Sequence, residues 1–140
     1  MLTYERMTRE EMNQSALLAA EAFYHYEYFS IYLPDEKRRR RCLDAMIKSE
    51  FRANWNNPEV VFITAKENGK IVAIAQLCTP DYKKPSDLDY IRAGWLGVMF
   101  KGGVKEVNAW NDMEKLASAP CHGLTGKIWY LSLLTVAKSY

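Results

Sequence analysis

"VVFITAKENGKIVAIAQLCTP", residues 60–80, carries two runs rich in β-branched residues on either side of Asn68-Gly69. A two-residue type I′ turn needs positive φ at both central positions, and Asn-Gly meets that need at the lowest cost. The stretch therefore predicts strands over 60–66 and 70–79, paired as an antiparallel hairpin. Upstream, "NWNNPE" (54–59) is loop chemistry. Before it, Cys42, Leu43, Met46, Ile47 and Phe51 recur at helical spacing and predict a helix over 36–54. Asp35 is its natural N-cap, and Pro34 keeps the preceding residue out of the helical region.

Further out, "LTYERM" (2–7) reads as a short first strand. Thr8 and Glu11 have capping-box spacing, which predicts a helix over about 9–24. Downstream, Ile91, Trp95, Val98 and Met99 repeat at helical intervals, Gly102-Gly103 interrupts them, and Val107, Trp110, Met113, Leu116 and Ala117 resume. The pattern predicts helices over about 86–100 and 104–118. A last apolar strand follows over about 127–136. The order β-α-α-β-β-(α-α)-β describes one α+β domain over 1–140, an antiparallel sheet with helices packed on it.

Composition narrows the function classes. The chain has 140 residues, 49% hydrophobic and 26% charged, with a net charge of +2. That length is enough for one real core, and that charge argues against nucleic acid as a partner. Three cysteines at positions 42, 78 and 121, with no close pair, argue against a disulfide framework or a metal site and for a reducing cytoplasm. No secretory h-region opens the chain, and no run reaches roughly 18 uninterrupted apolar residues, so no membrane contact is expected. "KRRRR" (37–41) opens a helix and spreads around its circumference, so it reads as a solvated helix start rather than a nucleic-acid stripe.

The last strand ends on Leu134-Thr135-Val136-Ala137-Lys138-Ser139-Tyr140. This is similar to the Leu-x-Val-x-x-x-Tyr pattern that closes the fourth strand of GNAT-family N-acetyltransferases (the acyl-CoA N-acyltransferase fold). The element order, with a helical insertion over about 81–126 before "WYL" (129–131), resembles the subgroup that includes puromycin N-acetyltransferase. In that family a glycine-rich turn follows the fourth strand and holds the pyrophosphate of acetyl-CoA on a helix N-terminus. Gly102-Gly103, Gly123 and Gly126 lack that context. The resemblance thus implies the N-terminal portion of an acetyl-CoA-dependent enzyme acting on a small-molecule amine, truncated after the fourth core strand and with little acetyl transfer by itself. The alternative is a non-catalytic module of the same fold.

The resemblance also implies site residues. Leu134, Thr135 and Val136 would pair their backbone with the pantetheine arm of acetyl-CoA, as an added strand would. Tyr130 and Ser132 are the polar groups of the same strand. A tyrosine of ordinary pKa is a poor base at neutral pH, so Tyr130 would position a water. His122, in "APCHGLTG", is the natural proton shuttle nearby. Tyr24, Tyr28 and Phe29, with Tyr26, fall where the family lines its acceptor site. The open side of strand 127–136 is expected to pair across a homodimer or to be covered by a helix of the 81–118 insertion.

Overall fold

The computed structural model describes residues 1–121 and 123–140. Among the described residues the chain forms strand β1 (Leu2–Arg6), helices α1 (Met12–Tyr24), α2 (Glu27–Tyr32) and α3 (Glu36–Asn54), and strands β2 (Val60–Glu67) and β3 (Lys70–Cys78). Helices α4 (Asp87–Arg92), α5 (Trp95–Gly102) and α6 (Val104–Ser118) and strand β4 (Tyr130–Val136) complete it. The architecture is α+β, with one open antiparallel sheet in the order β1-β2-β3-β4.

The hairpin forms where the sequence demands it. Asn68 has φ 51° and Gly69 φ 77°, as a primed turn requires. Helix α3 begins at Glu36 because the Asp35 carboxylate accepts the Arg38 N–H at 2.7 Å. Its apolar face carries Cys42, Leu43, Met46, Ile47 and Phe51, all buried. Phe51 packs edge-on against Phe62 of β2 at 5.1 Å, which fixes α3 against the sheet.

Several elements differ from the expected ones, and the last strand, expected from about residue 127, starts at Tyr130. The expected helix 86–100 is two helices, because Gly94 takes φ 103° and starts α5 in a new direction. A Ser86–Asp89 capping box starts the first of them. The helix expected from residue 9 starts at Met12. Glu11 instead accepts the Thr8 N–H at 2.9 Å and ion-pairs with Lys66, which ties the start of α1 to β2. Between α1 and α3 an additional short helix, α2, forms in the aromatic stretch and ends ahead of Pro34.

One sheet face is covered by helices and carries Phe62, Thr64, Ile74, Gln76, Leu133 and Thr135, all buried. Strand β4 carries one extra residue: Leu133 faces Gln76 and Leu131 faces Leu77, so Ser132 bulges out of the ladder. Helices α4–α6 pack on α3 and α2, not along β4, so among the described residues no helix of this region covers the edge of the last strand. Among the described residues no helix is long and apolar enough to cross a membrane.

Candidate functional site

The most polar part of the interior lies where α3 crosses the end of β3. Gln76 is the one amide in the strand "KIVAIAQLC", and its alternation turns it inward, fully buried. Its Nε2 donates to Glu50 Oε1 at 3.2 Å. Asn54, one turn further along α3 and also fully buried, donates from Nδ2 to the same oxygen at 2.8 Å. The Tyr90 hydroxyl donates to Glu50 Oε2 at 2.8 Å, and the Tyr82 hydroxyl to Asn54 Oδ1 at 3.2 Å. The Glu50 carboxylate thus gathers α3, β3 and α4, and Asn54 adds the loop after β3. The Gln76 Oε1 is buried without a partner. An orphaned buried acceptor is costly, so Gln76 holds its inward position at the expense of stability.

The electrostatics follow from that carboxylate. Burial, then the Glu50 charge, push the Tyr82 and Tyr90 hydroxyls well above the ordinary tyrosine value. The same two causes push the Cys78 thiol up to about 11. Glu114 of α6 is exposed as a residue, yet desolvation of its carboxyl and the like charge of Glu50 raise its pKa against the pull of Lys84. Tyr130 is raised chiefly by burial and then by Glu114, with Cys121, Cys78 and Glu50 adding to it. The three tyrosine hydroxyls and the Cys78 thiol therefore stay protonated at neutral pH, and Tyr82 and Tyr90 donate hydrogen bonds beside the Glu50 charge.

Of the residues singled out from sequence, Tyr130 joins this cluster: it pairs with Cys78 across the β3–β4 ladder. Ser132 is the exposed bulge residue, two positions on. Thr135 is buried with its hydroxyl unpartnered, while Leu134 and Val136 are exposed on the opposite face. All three lie on a strand that pairs on one side only. His122 lies outside the described residues. Tyr24 and Phe29 are buried in the core and Tyr28 is half-buried. Arg39 and Arg40 lie over the Tyr24 ring at 4.7 and 4.3 Å, and Phe29 and Tyr28 pack on Trp110 of α6 at 6.0 and 6.5 Å. These aromatics bind α1, α2, α3 and α6 together; in the stretch 23–32, Tyr26 is the exposed ring. The "KRRRR" run is likewise structural in part, since Arg39 is buried and donates to the Leu33 carbonyl at 2.8 Å.

Among the described residues no group of three or more His, Cys, Asp or Glu side chains is placed to hold a metal ion. No family model matches the chain, and no curated protein matches it.

Proposed function

We propose that this chain carries the acyl-donor edge and the acceptor end of an acetyl-CoA-dependent N-acetyltransferase of the GNAT type, acting on a small-molecule amine. The observation that carries this reading is the bulge at Ser132. It interrupts an unpaired edge strand a few residues from the half-buried Glu50 carboxylate and its hydrogen-bonded partners. A bulge leaves a residue out of the ladder and re-aims its neighbours. On an open edge, the freed backbone donors suit the oxygen of a thioester carbonyl, and the remaining edge suits the amide groups of a pantetheine arm.

The cluster fits the acceptor. Glu50 and Glu114 supply negative charge that draws a cationic amine to the Tyr130 end of β4. Transfer requires the amine in its neutral form. Its nitrogen attacks the thioester carbon, a C–N bond forms, the C–S bond breaks, and the proton lost by the nitrogen ends on the departing thiolate. The Tyr130 hydroxyl, held protonated, orients a water or donates to the departing sulfur. The three free cysteines agree with a cytoplasmic setting for this reading.

An NMR titration of the 140-residue chain with acetyl-CoA tests it. Saturable shifts of the Leu131–Val136 amides, with β1 unmoved, support donor binding on this edge. Unmoved β4 amides at millimolar acetyl-CoA overturn it.

A further inference from the structure

Three arginines from different elements converge on one cleft. Arg9 comes from the turn between β1 and α1, Arg52 from the last turn of α3, and Arg92 from the last turn of α4. With Asn56 and Asp89 they line a cleft of about 400 Å³. An adjoining depression of about 260 Å³ shares Arg9, Arg52 and Asn56 and is bounded by Trp55.

Three other arginines have structural partners, while Arg6 and Arg41 have none among the described residues and lie outside the cleft. Arg38 and Arg40 face Glu106 and Glu21 at 3.8 and 3.7 Å, and Arg39 is fixed on a backbone carbonyl. Among the described residues Arg9, Arg52 and Arg92 have neither an ion pair nor a side-chain hydrogen bond. Asp89, the one acid on the cleft wall, accepts the Ser86 N–H and hydroxyl at 3.0 and 2.6 Å, and so closes the capping box of α4. It offsets part of the Arg92 charge from one turn away. A helix C-terminus favours a cation, which accounts for Arg52 and Arg92 singly. It does not account for their meeting Arg9, since three like charges on one concave surface repel.

We propose that this cleft binds a phosphate-bearing small molecule, with the phosphoryl oxygens held by the forks of Arg9, Arg52 and Arg92 and by the Asn56 amide. Planar guanidinium groups match phosphate oxygens two at a time, and several of them together favour a dianion over a single carboxylate. The volume suits a small ligand. The three arginines line one cleft, and the whole chain carries only +2, which is poor design for a nucleic-acid track. The site is separate from the acetyl-transfer reading and does not depend on it.

Calorimetric titration of the chain with pyrophosphate, inorganic phosphate and glutarate tests the assignment. Pyrophosphate should bind saturably at one site and more tightly than glutarate. Arg52→Gln and, independently, Arg92→Gln should each weaken it about tenfold, while Arg40→Gln leaves it unchanged. All are exposed positions, and thermal melts matching the parent certify the fold of each variant. Absence of saturable binding up to about 10 mM pyrophosphate overturns the proposal, since that is weaker than a built site gives. So does equal weakening by Arg40→Gln, which would mean diffuse charge. Salt-steep binding of a duplex oligonucleotide without pyrophosphate binding would assign the cleft to nucleic acid instead.

Discussion

Cys42 and Cys78 show how burial decides the behaviour of a single side chain. Both thiols are buried and pushed up to about 11, Cys42 by desolvation against the pull of Lys101 and Arg38, Cys78 by desolvation and the Glu50 charge. Cys121 is exposed. The thiolate is the reactive form, so iodoacetamide at neutral pH should label Cys121 in the native chain, and Cys42 and Cys78 only after unfolding. Rapid labelling of Cys78 in the native state, read by mass spectrometry, would mean the Glu50 cluster is open to solvent. The same shifts set an alkaline limit. The folded chain holds the protons of Cys42, Cys78, Tyr82 and Tyr90 more tightly than the unfolded chain. Their contribution is complete below the unfolded cysteine value of about 8.5 and is lost as pH climbs through the folded values. The melting temperature should therefore fall steadily from about pH 8.5 upward.

At the scale of elements, the hairpin is the most local piece of the fold. Asn68 and Gly69 both sit at positive φ, where a β-branched residue is strained. Gly69→Val should lower stability by about 1 kcal/mol or more, with the denaturation midpoint shifted and its slope unchanged. An unmoved midpoint would place the turn elsewhere. The elements legible in sequence were those with a local cause of this kind: Asn-Gly for the hairpin, Asp35 and an apolar stripe for α3. The break at Gly94 was hidden because the apolar spacing of Ile91, Trp95 and Val98 runs through it, and one glycine inside a helical pattern breaks nothing by itself. Helix α2 was hidden because its aromatics make long-range contacts to Trp110, which no local period records. Tyr130 was legible as a polar residue on an apolar strand. Glu50 was not, since a glutamate on a helix ordinarily faces water. Gln76 gave the one available signal, a lone amide at an inward position of a strand, and the bulge at Ser132 depends on register, which pairing alone reveals.

At the scale of the molecule, the sheet is finished on one face and bare on the other. Phe51, Leu43 and Ile74 close the helical side with almost no exposure. Opposite them, Ile63, Ala75 and Leu77 are half-buried, and Leu131, Leu134 and Val136 remain 48%, 58% and 47% exposed. These residues adjoin the unpaired edge of β4, so an apolar face and a row of open backbone groups coincide. Either alone is tolerated; together they form a template for another chain. We expect the isolated chain to self-associate through this corner. The position of a test substitution matters: Leu133 is 8% exposed and faces the core, so Leu133→Lys should unfold the chain rather than solubilise it. Leu134 points outward, and Leu134→Lys should lower light scattering at high concentration while leaving the thermal melt nearly unchanged. If the parent chain stays monomeric on concentration and Leu134→Lys alters neither scattering nor sedimentation, the corner is not adhesive and the exposed leucines need another explanation.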